Sequence, residues 1–440
     1  MITKFLITIF KLRVRLMRLS ANNSIVWQKS GIAIRKSIYR TLNSNIILVF
    51  FCAYAISAAL NSTEFFYNRT ITDDENYREV RSWFTKRIKL NRTFLDESIL
   101  ALLGFMHIVS AITSILALVA LISVRNKLCV IVTLFNMSTD FDSSNQAEFS
   151  RLVHAYPNTS REFKLRPYMI NGLGIMIAAI LTVSPLSFGL IALQPLSPIR
   201  KSIVESLEIF PKVELKYAPI TLFIFYVVFM VCDAIFLLAY VAYLYLLSAE
   251  YWLTQLCPVD VLKKPSILNG DKELVLRCKN GRIIGFRNLI RFYRCYEILT
   301  NAFNNVYANF IITMHHSCFV FILSSALFLG IRYTEMFLLP GGQVIPVAII
   351  AIVMMEFFET VLIVGMQRAS KKFLSQLREH TRKKQLHGEK LAAKNIRREL
   401  ASLSSLHAHT AYPVLSLSKQ YFLEFLGTSI ETVVDMLIMV

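Results

Sequence analysis

Seven apolar runs, at about residues 45–60, 98–123, 168–193, 218–247, 306–330, 344–366 and 421–440, constrain this chain more than any other feature. Each is about long enough to cross ~30 Å of hydrocarbon as a helix. A segment in lipid must satisfy its own backbone hydrogen bonds, and a helix does so within one strand of chain. The expected fold class is therefore all-α: a polytopic membrane protein with seven transmembrane helices. Composition agrees, since 18% of the 440 residues are charged against about a quarter in soluble domains. The opening "MITKFLITIFKLRVRLMRLS" is apolar for too few residues, and too soon interrupted by Lys and Arg, to be a cleavable leader. It reads as a basic helix lying on a membrane surface.

The net charge of +19 would suit a nucleic-acid binder, but its placement does not. Residues 1–44, 124–167, 248–305 and 367–420 hold 36 Lys and Arg against 12 Asp and Glu, whereas 61–97, 194–217 and 331–343 hold 12 against 11. The positive-inside rule then puts the N-terminus in the cytoplasm and, after seven crossings, the C-terminus outside. The expected partners are membrane lipids rather than nucleic acid, and the expected location is the plasma membrane, crossed many times. A separate signal agrees: acceptor sequons at Asn61, Asn68 and Asn91 cluster in the one substantial outside loop. Sequons at Asn136 and Asn158 fall on the inner side and are expected to stay bare.

Three regions follow: a basic cytoplasmic segment 1–44, helices one to six with cytoplasmic extensions over 45–420, and a last helix at 421–440. The stretches 282–310 and 366–406 repeat apolar residues at three- and four-residue spacing. Spans four, five and six are therefore expected to continue as helices into the cytoplasm. Pro413 interrupts the chain before the last crossing. None of the seven cysteines lies in an outside loop and none has paired C-x-x-C spacing, so no extracellular disulfide or zinc site is expected. No catalytic, nucleotide-binding or metalloprotease motif is present, and the chain is not expected to be an enzyme or to carry a cofactor.

Every Lys and Arg falls in a loop, while six acids remain inside the runs: Asp233, Glu356, Glu359, Glu424, Glu431 and Asp435. A carboxylate in hydrocarbon is costly and marks a function or a partner. Glu424 reads as reaching the inner interface. Glu431 and Asp435 share a stripe of the last helix with Thr428, suited either to an acidic ring that favours cations or to hydrogen bonds within the bundle. Asp233, Glu356 and Glu359, with His107, His315 and His316, are candidate polar residues of a ligand cavity. His315 and His316 are adjacent, so their side chains diverge on the helix and a two-ligand metal site is not expected there.

These features together resemble the invertebrate gustatory receptors, relatives of the insect odorant receptors. The resemblance covers length, seven spans, inverted topology and long inner helices. The family's last helix ends in Thr-Tyr, five mostly apolar residues, then Gln-Phe. Here "TVVDMLIMV" keeps Thr432 and the spacing, with Val433, Met439 and Val440 in place of Tyr, Gln and Phe, and Asp435 among the apolar five. The resemblance implies a small-molecule-gated cation channel built from four identical or related subunits, joined through their cytoplasmic helices. It places Thr432, Met436, Met439 and Val440 on the pore face, with Glu431 and Asp435 about a quarter turn away, and a ligand pocket in the outer half of each bundle. The alternatives are a receptor without its own pore, of the G-protein-coupled kind, and a light- or reactive-oxygen-sensing member of the same family, as in nematodes. The former lacks its motifs here and needs the opposite topology. The latter finds Trp27, Trp83 and Trp252 in loops or at an inner interface.

Overall fold

The computed structural model describes residues 25–27, 32–34, parts of 48–60, 92–153, 218–261, 275–308, 311–334, 344–385, 397–408 and 420–439. Runs 45–60 (in large part) and 168–193, with Pro413 and the sequons at Asn61, Asn68, Asn91 and Asn158, lie outside the described residues. Among the described residues, six long helices carry the architecture: α1 Arg92–Val153, α2 Ala218–Gln255, α3 Phe286–Phe303, α4 Ile311–Arg332, α5 Val344–Gln385 and α6 Gln420–Met439. Three helices among the described residues contain stretches long and apolar enough to cross a membrane, Ser114–Asp140, Ile311–Arg332 and Ile345–Arg382. This is the character of a membrane protein.

The helices outrun the hydrocarbon. α1 has 62 residues, roughly 93 Å at a rise of ~1.5 Å per residue. α5 continues well past Met366 to Gln385, and α2 past Leu247 to Gln255. In α1 the apolar stretch runs through 124–140, which the sequence reading placed in an inner loop. Leu128, Ile131, Leu134 and Phe135 there are buried against α2 and α3, so packing within the protein accounts for their apolar character.

The all-α expectation needs correction in two places. Strands β1 Ile25–Trp27 and β2 Ile32–Ile34 pair as a small antiparallel sheet. Strands β3 Pro258–Val261, β4 Val275–Cys278 and β5 Ile283–Gly285 form a second, antiparallel throughout. Residues 283–285 were expected to be helical. They are extended because Asn280-Gly281 turns the chain back: Gly281 has φ +80°, a conformation open to glycine, and Arg282 N–H donates to Asn280 Oδ1 at 3.0 Å. The sheet closes over the end of α2, where Arg282 stands 5.9 Å from the Trp252 ring centroid. Trp252 is fully buried within the protein.

Two apolar cores result. The larger gathers the middle of α1, the C-terminal half of α2, part of α5, the buried face of α3, the second sheet and Leu403, Leu406 and Ala408. Its aromatic centre includes Tyr293 stacked on Phe373 at 5.5 Å. The smaller holds Phe105 of α1, Ile322, Leu323, Ala326 and Leu329 of α4, Ile345 and Ile352 of α5, and Phe425 of α6. Between α3 and α4, Asn304–Ala308 winds as a π-helical turn, with Asn304 Nδ2 donating to the His407 carbonyl at 2.9 Å. Cys257 and Cys278 are free and buried beside the second sheet, and burial pushes their thiols up to about 11 and about 12. Both stay protonated at neutral pH, as structural thiols do.

Candidate functional site

α6 presents three different faces. Tyr421, Phe425, Ser429 and Val433 recur every four residues and are buried, mainly against α4. Small side chains let the two backbones approach: Ser324 Oγ of α4 donates to the Ser429 carbonyl at 3.1 Å. A second face, Leu423, Ile430, Val434 and Ile438, is apolar and exposed. Beside it lies the third face, where Glu424, Glu431 and Asp435 are exposed. None of these three acids has an ion pair or side-chain hydrogen bond with another described residue.

Thr432 and Met436 sit half-buried along the flank of the packed stripe, and Met439 is exposed. Thr432 Oγ1 donates to the Thr428 carbonyl at 2.8 Å, satisfying its hydroxyl within the helix. The acids therefore face away from α4 more completely than Thr432 and Met436 do. Val440 lies outside the described residues.

At the foot of α6 the structure brings together four of the six candidate cavity residues. His315 and His316 come from the second turn of α4, and Glu356 and Glu359 from α5, where a three-residue step puts both acids on one face. His315 Nδ1 is 3.7 Å from Glu356 Oε1 and 3.5 Å from Glu359 Oε2, while His316 Nδ1 is 3.7 Å from Glu356 Oε2. His315 and His316 are neighbours on α4. Their rings do diverge, but the Glu356 carboxylate reaches between them and presents one oxygen to each.

Glu356 is only 1% exposed, and Glu356 Oε1, His316 Nδ1, Thr313 Oγ1 and Thr360 Oγ1 are buried without a hydrogen-bond partner. Aromatic rings close the site. His315 lies 3.9 Å from Phe319, and His316 lies 4.5 Å from Tyr421 and 5.5 Å from Phe425, centroid to centroid. The last two belong to α6, so the cluster touches the helix that carries the exposed acids. Tyr421 belongs to the larger core and Phe425 to the smaller, which puts the cluster at their junction.

The side chains of His107 and Asp233 lie outside the described residues, although α1 and α2 carry them. Sequence reasoning missed Tyr421 and Phe425 as neighbours of the histidines. Their four-residue spacing was the available signal, since it matches the buried stripe of α6. Among the described residues, no group of three or more His, Cys, Asp and Glu is arranged to hold a metal ion. No protein-family model matches this chain, and no curated protein matches it.

Proposed function

We propose that this chain is a subunit of a small-molecule-gated cation channel, a chemoreceptor of the gustatory-receptor type. In this reading it crosses the plasma membrane seven times, with the N-terminus inside, and four subunits place α6 around a common passage. The observation that carries the reading is the outward acidic face of α6. One face is used against α4 and another is apolar enough for lipid, which leaves Glu424, Glu431 and Asp435 on a face of their own. Exposed carboxylates on an apolar helix are stable beside water or a partner rather than in lipid. A symmetric ring of four such helices supplies both, and its field favours cations in a narrow, low-dielectric passage. The topology draws support from packing. The described parts of the segments assigned to the cytoplasm from their charge, on α1, α2, α3 and α5, converge on one core.

The test neutralises the acids without changing their shape. In cells expressing the full chain, currents evoked by a panel of sugars, bitter compounds and carbon dioxide would be recorded for Asp435→Asn and Glu431→Gln. The expected outcome is lower cation conductance or a shifted reversal potential, with surface expression unchanged. Unaltered conductance, selectivity, gating and assembly in both variants would overturn the role given to this face.

A further inference from the structure

The structure assigns a second site, at the foot of α6: we propose that His315, His316, Glu356 and Glu359 bind a proton, and that its uptake or release resets the seating of α6. Three observations carry this. The first is charge. Residues 311–331, 344–367 and 420–440 contain no Lys or Arg, so these segments offer the two carboxylates only imidazoles. A carboxylate removed from water is tolerated only when a proton or a cation neutralises it. The second is the orphaned pair of atoms. Glu356 Oε1 and His316 Nδ1 have no hydrogen-bond partner although buried, and the carboxylate stands 3.7 Å from each imidazole. This is too long for a hydrogen bond and near enough to become one.

The third is coupling to α6. A proton from bulk water, bonded to an imidazole nitrogen or a carboxylate oxygen, gives the orphaned atoms the hydrogen they lack. A charge-assisted bond has a length of about 2.7–2.9 Å, so the gap closes by nearly 1 Å. The ring drawn inward is the one packed against Tyr421 and Phe425. Closely packed elements convert sub-ångström shifts into discrete changes of seating. Among the described residues, few groups face the cluster. α2 contributes Tyr243, and α6 contributes Tyr421 with Glu424 beyond it. Lys127 of α1 donates elsewhere, to Asn305 at 2.8 Å.

The test needs no ligand and no current, so it stands apart from the channel reading. The full chain in lipid nanodiscs is titrated with acid while infrared difference spectra follow the carboxylic carbonyl band. Hydrogen exchange of residues 420–439, corrected for its intrinsic pH dependence, is measured across the same range. The unmodified chain should show a titrating band and a change in exchange with one midpoint. Glu356→Gln should remove both, and His315→Gln should move the midpoint by about one pH unit or more, the size of a neighbouring-charge effect. Should Glu356→Gln fail to fold by gel filtration, the less buried Glu359→Gln and His315→Gln decide the matter. Variants that titrate like the unmodified chain would overturn the site. A band that titrates while exchange in α6 stays constant would overturn the coupling.

Discussion

Ser324 and Ser429 show how little side chain the contact between α4 and α6 permits. Both are buried, Ser324 donates to the Val320 carbonyl at 2.8 Å as well as to Ser429, and Ser429 Oγ donates to the Phe425 carbonyl at 2.8 Å. Two effects can be separated here. Ser324→Ala removes the interhelical bond, which in membrane bundles is worth only about 0.6 kcal/mol on average. Ser324→Leu forces the backbones apart, and overpacking costs about 1–3 kcal/mol. Thermal unfolding in detergent should therefore show a small loss for the alanine variant and a clear one for leucine. Equal losses would mean that the hydrogen bond, not the close approach, holds α6 in place. At this scale the sequence was legible where geometry is local. Asn280-Gly281 between alternating apolar residues announces a hairpin, and only attention to helical periodicity hid it. It was not legible where partners lie far apart: nothing in "MHHSCF" tells that Glu356, forty residues on, will reach both histidines.

Among the elements, residues 402–408 act as a strap across the larger core. Leu406 N–H donates to Ser370 Oγ at 2.8 Å, and the Tyr293 hydroxyl donates to the Ser404 carbonyl at 2.7 Å. Since that hydrogen is used, Ser370 is the donor in its 2.6 Å contact with Tyr293. Glu297 holds the same strap by accepting from Ser404 N–H at 3.1 Å and from its hydroxyl at 3.2 Å. Burial, partly offset by the Ser370 bond, pushes the Tyr293 phenol up to about 12. The unfolded phenol titrates near 10, so the folded state holds this proton more tightly. The resulting stability is fully present below about pH 10 and is lost as pH rises through about 12. Tyr293→Phe should cost about 1 kcal/mol at neutral pH, the net worth of a typical hydrogen bond. It should also flatten the alkaline decline, which thermal unfolding across that pH range would measure. A decline as steep as in the unmodified chain would place its origin elsewhere. Helices such as α2 and α5 were readable because an apolar run long enough for lipid permits little else. The strap was not: Leu403 and Leu406 continue the three-residue spacing read as helix through 406, whereas 402–408 is not helical and takes its shape from the surface beneath it.

For the whole molecule, the long helices tie two cores into one body: α1, α4 and α5 each contribute to both, or pack against both. The charge asymmetry and the sequons make the proposed orientation testable. Replacing Asn61, Asn68 and Asn91 with Gln together should abolish a glycosidase-sensitive mobility shift, and a shift that persists would reject the topology. Assembly is tested by cross-linking the full chain in detergent. Stretches 282–305 and 367–407 are expected to yield species up to a tetramer, whereas monomers alone, from a chain that responds in cells, would argue against it. The identity of the stimulus was never legible, because a pocket that recognises a small molecule is assembled from scattered residues of several helices and leaves no local pattern.

The π-helical turn at Asn304–Ala308 bears on how such a chain could change over evolution. A π turn holds one residue more than an α turn, and such insertions recur at functional sites. Deleting one residue there would restore the ordinary pitch and rotate everything beyond it by about 100°. His315 and His316 would swing off Glu356, and the Ser324 face would turn from Ser429. The extra residue acts as a phase setting between the two cores. Insertions and deletions within 304–308 should therefore be far less tolerable than substitutions.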